Sequence, residues 1–329
     1  MSMGSDLKPS RVKIVEIDAD QADQRIDNFL LGRLKGVPRT RIYRLLRRGE
    51  VRVNKGRVKP AYRLRAGDQV RIPPIRQAER VPGRVGGDLC RRLEAAILFE
   101  DARFLVLNKP RGVAVHGGSG ISAGVIEALR QARPDARYLE LVHRLDRETS
   151  GCLLIAKKRS ALRILHELMR ENRVDKRYHL LVAGRWPVDC REVDAPLHKN
   201  QLASGERVVR ISPVGKAART GFRQIAGMER ATFLEAVLHT GRTHQIRVHT
   251  AHVGHPVAGD EKYGDRDFNR WIRGQGLQGM FLHAFSLAFT WPESGERFRV
   301  QAPLDDNLRE VLARLGLSDG GQENGEGDT

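Results

Sequence analysis

A single carboxylate within a run of charged residues is the clearest place for chemistry in this chain. Residues 143–151 read HRLDRETSG, with Asp146 between Arg144 and Arg147, and they lead into the apolar segment CLLIA at residues 152–156. A neighbouring cation lowers the pKa of an aspartate by roughly 1 to 3 units. The pattern therefore predicts an ionised carboxylate that could act as a nucleophile, although an Asp beside an Arg is also the ordinary pattern of a solvated surface pair.

The whole motif is more specific than the aspartate alone. HRLDRETSG followed by LLIAK resembles the active-site motif of the RluA-type pseudouridine synthases, whose Asp at this position is the catalytic nucleophile. The resemblance runs from about Val12 to Leu315 and includes NKPRGVAVHGGSG, KNQLASGERVVR and GRTHQIRVH. It implies isomerisation of specific uridines in 23S ribosomal RNA to pseudouridine, without a metal, a redox partner or another cofactor.

The same resemblance implies roles for individual side chains. Asp146 would attack C1′ of the ribose or C6 of the base, and Arg247, within GRTHQIRVH, would pair with it and keep it ionised. Tyr178, within KRY, would stack on uracil and assist removal of the C5 proton. Leu282, within FLHA, would form an apolar wall of the pocket. Arg144 would enter the space that the flipped uridine leaves, because a base must leave its stack before an enzyme can act on it.

Other patterns leave different chemistry open. Four histidines lie close enough in the sequence to bind a metal: His244, His249, His252 and His255. Their spacing fits neither a zinc finger nor HExxH and no cysteine cluster joins them, so we predict no metal site. Ser150 with a histidine base is another possibility, although no G-x-S-x-G elbow is present. The glycine-rich segment 115–120 lacks the Walker lysine pattern, and we interpret it as a rim that contacts the RNA backbone.

Length and composition favour a two-domain globular protein that binds a polyanion. The chain has 329 residues, 40% of them hydrophobic, and a formal net charge of +18, which favours nucleic acid as the partner. No apolar run approaches the roughly 18 residues that span a bilayer, and the first ten residues lack a signal-peptide core. We therefore expect a cytoplasmic protein without a membrane partner. Three cysteines without a C-x-x-C pair indicate no disulfide framework, and no heptad pattern calls for self-association, so we expect a monomer.

The positive charge is concentrated near the start of the chain. Residues 25–72 hold 15 Lys and Arg but only 3 Asp and Glu. Apolar spacing predicts two short helices here, with these residues facing inward: Ile26, Phe29, Leu30, Leu34, Ile42, Leu45 and Leu46. Short strands around the NKG and AGD turns follow. The segments RIDNFL, RGEVRVNK and LRAGDQVRIP resemble, in order, the S4 RNA-binding domain. Arginines on a helix are often mere solvated surface, but this density predicts RNA contact by Arg39, Arg41, Arg44, Arg47, Arg48, Arg52, Lys55 and Arg57.

The remaining pattern predicts the domain organisation and the fold class. We expect an S4-like helix-helix-strand domain over residues 12–73, a linker over 74–94, a catalytic domain over 95–315 and a disordered tail over 316–329. Apolar strands, tight turns and helices near 122–133 and 160–171 indicate an α+β fold with a mixed, largely antiparallel sheet.

Three rival functions remain compatible with parts of the sequence. A non-catalytic assembly factor for ribosomal RNA would explain the charge but not HRLD or GRTHQIR. A metal-dependent RNA hydrolase would explain the histidines and would be inhibited by chelators. A sister synthase acting on tRNA or on other ribosomal uridines differs least, because side-chain identities in loops do not reveal the target.

Overall fold

The structure is a computed structural model that describes residues 12–18, 21–34, 36–75, 85–117, 123–201 and 207–317. Contacts divide the chain into two compact units, Met1–Arg84 and Val85–Thr329, here called the N-terminal unit and the C-terminal unit. Within the described residues no helix is both long enough and apolar enough to cross a membrane.

The described part of the N-terminal unit contains two helices and an antiparallel sheet with the strand order β1-β3-β2. Its elements are β1 (Lys13–Glu16), α1 (Ile26–Arg33), α2 (Arg39–Arg47), β2 (Arg52–Val53) and β3 (Gln69–Ile72). All seven side chains predicted to face inward are buried in one cluster. The two helices predicted from apolar spacing are thus confirmed.

A buried carboxylate joins the two helices of the N-terminal unit. Asp27, whose side chain is 1% exposed, accepts hydrogen bonds from Arg25 Nη2 and the Tyr43 hydroxyl, each at 2.7 Å. Hydrogen bonds from Arg25 outweigh the effect of burial and lower the pKa of Asp27. A buried charge needs such partners, so α1 and α2 are held together by polar contacts as well as by their apolar faces.

The C-terminal unit is built on one long mixed sheet. Its strands are β4 (Ile97–Glu100), β5 (Phe104–Lys109), β6 (Glu140–Leu141), β7 (Ser150–Ala156), β8 (Asp175–Ala183), β9 (Glu192–Asp194), β10 (Leu197–Gln201), β11 (Arg207–Ile211), β12 (Arg219–Gly227), β13 (Ala231–Leu238), β14 (Leu282–Thr290) and β15 (Arg297–Gln301). The main order is β4-β5-β7-β14-β8-β13-β12-β9, with β15 beside β14 and β6 beside β7, while β10 and β11 form a separate hairpin. Only β7 and β14 pair in parallel among these described strands. The predicted α+β class with a largely antiparallel sheet is confirmed.

Helices cover both faces of this sheet. They are α3 (Gly87–Ala95), α4 (Val125–Ala132), α5 (Arg159–Arg170), α6 (Gln245–His252), α7 (Arg266–Gly274) and α8 (Asp306–Arg314). Successive side chains of a strand point to opposite faces, so Leu180 of β8 joins the core with α3, α4 and α5, whereas Leu181 joins the core with α7 and α8. The sheet is therefore buried on both sides.

Gly151 allows the parallel pair at the centre of the sheet. Its φ of +102° lies in a region that L side chains rarely adopt, and a Cβ here would lie 2.3 Å from the carbonyl oxygen of Ala284 on β14. Only glycine permits this approach. The last residue of HRLDRETSG thus fixes the strand that follows the loop carrying Asp146.

The linker predicted over residues 74–94 is wrong for its second half. Residues 87–95 form α3, whose Leu93 is fully buried in the core of the C-terminal unit. Glycines and charges before and within the helix concealed its short apolar face. Residues 76–84 of the predicted linker and residues 318–329 of the predicted tail lie outside the described residues, and the other predicted domain boundaries stay predictions.

Candidate active site

A cavity of about 680 Å³ lies in the C-terminal unit, within the size range of small-molecule sites. Its walls include the loop at 142–146 before β7, one face of β8, and the turn at 240–244 that leads into α6. The structure brings all five residues predicted for catalysis and the pocket to this cavity: Asp146, Tyr178, Arg247, Arg144 and Leu282. These residues lie on four separate segments of the chain, so their meeting is a consequence of the fold.

Asp146 is partly exposed to the cavity and is paired with a cation from α6. Its side chain is 23% exposed, and its Oδ2 accepts a hydrogen bond from Arg247 Nη1 at 3.1 Å. His244 Nε2 lies 3.6 Å from the same oxygen. The arginines on either side of Asp146 in the sequence are not the partners found here: Arg144 is exposed, and Arg147 Nε donates to the carbonyl oxygen of Gly112.

A second, buried carboxylate fixes Arg247. Asp260, whose side chain is fully buried, accepts from Arg247 Nε at 2.7 Å and Nη2 at 2.8 Å, and its Oδ1 also accepts from the backbone N–H groups of Lys262 and Tyr263. Burial would lower the pKa of Arg247, but Asp260 and then Asp146 outweigh it and raise that pKa. Such two-point binding fixes the plane of the guanidinium. The sequence interpretation missed Asp260, which lies 13 residues beyond Arg247 in a turn that no local pattern marks.

A tight turn determines which way Arg247 faces. The buried Gln245 side chain accepts from the Thr240 hydroxyl and the Arg242 N–H, and its amide donates to the Arg219 carbonyl oxygen. His244 precedes α6 with a left-handed φ of 54°. Because α6 starts directly after it, Arg247 lies within the first helical turn, near Asp146.

A buried lysine supports the loop that carries Asp146. Lys109, at the end of β5, is fully buried, and its Nζ donates to the carbonyl oxygens of Pro110, Val113 and Arg147 at 2.8–3.0 Å. Burial lowers the pKa of Lys109 to about 7, and the charges of Glu148 and Asp146 limit that shift. The sequence interpretation missed this role too, although a lysine that ends the apolar strand FLVLNK was a visible signal.

His143 attaches the start of the motif to the sheet. Its Nε2 accepts a hydrogen bond from the backbone N–H of Leu154 at 3.0 Å, so this nitrogen carries no proton. Burial, with a smaller contribution from the charge of Lys176, lowers the pKa of His143 to about 4. The ring is therefore neutral at physiological pH, and its role in the structure is that of an acceptor.

The predicted pocket residues differ in exposure. Tyr178 and Leu282 are buried and line the cavity from β8 and β14, whereas Arg144 is exposed at the cavity. Burial, and then the charge of Asp146, raises the pKa of Tyr178, so its hydroxyl keeps its proton at neutral pH.

Three of the four clustered histidines, and Ser150, bond to neighbouring parts of the fold, and His244 does so through the Tyr263 hydroxyl. His249 bonds Thr220 and the Ala195 carbonyl, and His255 bonds the Ala183 carbonyl. In the described residues no three His, Cys, Asp or Glu side chains are grouped as a metal site. Ser150 does meet a histidine, His283, at 2.9 Å, but both are buried and neither lines the cavity. Part of the glycine-rich segment, residues 118–120, lies outside the described residues.

In the N-terminal unit, the eight basic residues predicted to contact RNA are all exposed: Arg39, Arg41, Arg44, Arg47, Arg48, Arg52, Lys55 and Arg57. Five of them belong to α2 or follow it directly, whereas Ile42, Leu45 and Leu46 of the same helix are buried. Their side chains are thus available to a polyanion.

Comparisons with known proteins identify the family of the chain. The family model of RNA pseudouridylate synthase matches residues 103–252, and the model of the S4 domain matches residues 24–70. Ribosomal large subunit pseudouridine synthase C of Pasteurella multocida (strain Pm70) is 57% identical over 306 residues, covering 92% of this chain and 94% of that protein. The protein of the same name from Escherichia coli (strain K12) is 57% identical over 308 residues, covering 92% and 97%.

A solved structure shares much of the fold of this chain. Human RNA Pseudouridylate Synthase Domain Containing 4 is 26% identical, has a TM-score of 0.60, and covers 71% of this chain and 97% of that chain. The bacterial relatives named above extend the match to 92% of the chain. From this identity over almost the whole sequence it follows that the chain belongs to the RNA pseudouridylate synthase family of isomerases and carries an S4 domain.

Proposed function

We propose that this chain isomerises specific uridines of 23S ribosomal RNA to pseudouridine, with Asp146 as the nucleophile. The observation that carries the proposal is the Asp146–Arg247 ion pair in a cavity that Tyr178 and Leu282 also line. A carboxylate, a cation that holds it, an aromatic ring and an apolar wall suit the binding and attack of a flipped pyrimidine. The names of the bacterial relatives support ribosomal RNA as the substrate.

The chemistry needs one carboxylate and proton transfers. In the route through C1′, a bond forms from Asp146 to C1′ as the C1′–N1 bond breaks, and the electron pair moves onto N1. Uracil then turns until C5 faces the sugar. The C5–C1′ bond forms as the bond from Asp146 breaks, C5 loses its proton and N1 gains one. The route through C6 uses the same carboxylate, and both routes release the C5 hydrogen.

Tyr178 and Leu282 would hold the uracil plane while it turns. Because Tyr178 keeps its proton at neutral pH, its hydroxyl is a hydrogen-bond donor and a poor base. We therefore propose that its ring stacks on uracil, and we favour this role over removal of the C5 proton. Arg144, exposed at the cavity, would fill the space in the RNA that the flipped uridine leaves.

Charge around the cavity supports a polyanionic substrate. Among the described residues that line it, Asp146 is the one acid, whereas the basic residues are Arg144, Arg170, Lys176, Arg242 and Arg247. With Asp146 paired to Arg247 and Lys176 buried, the exposed cations Arg144, Arg170 and Arg242 are available to phosphates. The eight exposed basic residues of the N-terminal unit would bind further phosphates, which position an RNA without reading its sequence.

The test is to map pseudouridine in 23S ribosomal RNA transcribed in vitro, after incubation with the enzyme. Carbodiimide modifies pseudouridine and stops reverse transcriptase at modified sites. We expect new stops at a few uridines with the native chain and none with Asp146→Asn. Stops in tRNA but not in 23S RNA would favour the sister synthase, and no stops in either would contradict the proposal.

The same assay addresses the partners and the assembly state. We propose that the enzyme acts as a monomer in the cytoplasm and that a pre-50S assembly intermediate is also a substrate. The stops should therefore also appear in the 23S RNA of such a particle. They should appear at enzyme concentrations where size-exclusion chromatography gives the mass of one chain. The mass of a dimer under those conditions would overturn the proposal that the enzyme acts as a monomer.

A further inference from the structure

Both side chains that approach Oδ2 of Asp146 are in turn held by Tyr263. Its ring lies 5.0 Å from the guanidinium carbon of Arg247, and its hydroxyl lies 2.8 Å from Nδ1 of His244. Arg247 and His244 approach Oδ2 at 3.1 and 3.6 Å. One tyrosine thus contacts both side chains that approach the proposed nucleophile, Arg247 and His244.

The contacts of the Tyr263 hydroxyl favour one tautomer of His244. The backbone N–H of Val209 donates to the Tyr263 oxygen at 3.0 Å, so at this contact the hydroxyl is an acceptor. Its own proton can then be donated to His244 Nδ1, which is the acceptor within reach among the described residues. In a neutral imidazole one nitrogen accepts and the other donates, so this arrangement would put the proton of the His244 ring on Nε2, facing Asp146.

The environment favours this neutral form. Burial lowers the pKa of His244, and Arg247 and Lys262 act in the same direction, against the carboxylates Asp146 and Asp260. The opposite tautomer would turn the lone pair of Nε2 towards a carboxylate oxygen, which is repulsive. The Nε2–H form is consistent with both the Tyr263 contact and the Asp146 contact.

The backbone at His244 supports a functional reason for this placement. Its φ of 54° lies in the left-handed region, which non-glycine residues seldom adopt and which is often found where function requires it. The hydrogen bonds of the Gln245 side chain hold the turn in this conformation. The strain aims the imidazole at the cavity, which His244 lines.

We propose that Tyr263 holds His244 as the Nε2–H tautomer, and that His244 and Arg247 together hold Oδ2 of Asp146 so that Oδ1 makes the attack. In the described part of the chain, no hydrogen bond reaches Oδ1. When Oδ1 forms its bond to the substrate, Oδ2 becomes a carbonyl oxygen that still accepts from both donors. The 3.6 Å separation shortens when RNA closes the site, as contacts in free enzymes often do. His244 and Tyr263 are positioning residues in this scheme, which rests on the proposed function of Asp146.

The tautomer can be measured without any turnover. Long-range ¹⁵N–¹H correlation spectra of protein with labelled histidine distinguish an Nε2–H ring from an Nδ1–H ring, and loss of one of the 11 histidine patterns in His244→Gln identifies His244. We expect the Nε2–H pattern in the native chain and a mixture in Tyr263→Phe, which keeps the ring beside Arg247 and removes the hydroxyl. An Nδ1–H ring in the native chain would overturn the proposal even if the enzyme makes pseudouridine.

Kinetics test the consequence for Asp146. Single-turnover rates on 23S RNA should fall roughly 10- to 100-fold in Tyr263→Phe and in His244→Leu, the loss expected for a hydrogen bond to a charged group, while the Kd for RNA stays within about twofold. His244→Gln, whose amide can donate in place of Nε2–H, should recover part of the rate. The exposed His252 on the same helix provides a control, His252→Gln, with the native rate.

The two proposals fail in different ways. A native rate in folded His244→Leu, or an equal loss of rate and RNA affinity, would overturn the positioning role while leaving Asp146 as the nucleophile. Full activity of Asp146→Asn would overturn the proposed function, whatever the tautomer of His244. Thermal melting of each variant separates a local effect from unfolding.

Discussion

At the scale of residues, the site combines a partly exposed carboxylate with supports that are buried. Asp146 is open to the cavity, whereas Asp260 and Lys109 are completely buried. Breaking a buried ion pair costs about 3–5 kcal/mol, far more than breaking an exposed one. The supports of the site are therefore costly to disrupt, whereas the proposed nucleophile keeps access to solvent.

His143 should make stability depend on pH. Its pKa is about 4 in the folded protein and 6.5 as the reference value, so between these values the unfolded chain binds more protons. The free energy of unfolding then falls as pH decreases from 6.5 to 4. His143→Gln keeps an acceptor for Leu154 but does not titrate. Between about pH 7 and about pH 5, urea unfolding should therefore show a loss in the free energy of unfolding that is smaller in His143→Gln than in the native chain, by roughly 1–2 kcal/mol. Equal losses in both proteins would show that His143 does not titrate in this way.

At the scale of elements, the close approach of β7 and β14 fixes the loop that bears Asp146. The loop ends at Ser150, which pairs with His283, and Gly151 pairs with Ala284. β14 also carries Leu282 of the cavity wall, and another of its neighbours, β8, carries Tyr178. Three adjacent strands thus set the distances among Asp146, the Tyr178 ring and Leu282.

Gly151→Ala should therefore disturb both stability and activity. The new Cβ would lie 2.3 Å from the Ala284 carbonyl oxygen at a φ of +102°, and we expect a loss of at least about 2 kcal/mol in the free energy of unfolding. Gly274→Ala is the matched control, because its Cβ meets nothing within 4 Å. Chemical denaturation and rates on RNA check the pair, and equal stability of the two variants would contradict this account of the motif's glycine.

Local sequence patterns predicted the elements with strong periodicity and missed those with weak cues. The apolar spacing in α1 and α2 was sufficient to predict these helices, and the apolar segment at 152–156 was sufficient to predict β7. Helices α7 and α8 were not predicted, although Asp265 and Asp305 cap them by accepting from the backbone N–H groups of Phe268 and Leu308. For the site, resemblance to the family motifs predicted Asp146 and Arg247. Asp260 and Tyr263 were not predicted, because no local sequence pattern shows that the fold brings them into contact with Arg247.

At the scale of the whole molecule, two units divide the proposed work. The N-terminal unit has its own buried core and its exposed arginines, and the C-terminal unit contains the cavity and its supports. Phosphate contacts made by one unit would offset part of the few kcal/mol needed to unstack the uridine in the other.

Removing residues 1–84 should weaken RNA binding and flatten its dependence on salt. Each phosphate contact contributes about 0.7–0.9 to the slope of log K against log salt, and residues 25–72 contain 15 of the 58 Lys and Arg in the chain. Filter binding of 23S RNA at several salt concentrations measures the slope. If the folded C-terminal unit bound 23S RNA with the same slope of log K against log salt as the full chain, the S4 domain would not bind the substrate.

The most direct test of the central claim is tritium release from 23S RNA transcribed with 5-³H-uridine, compared between the native chain and Asp146→Asn. Forming the C5–C1′ bond must expel the C5 hydrogen, so release measures pseudouridine formation itself. We predict release by the native chain, none by Asp146→Asn, and similar RNA binding by both in filter assays. Release by Asp146→Asn at the native rate would contradict the claim that Asp146 is the nucleophile, and release by neither would contradict 23S RNA as the substrate.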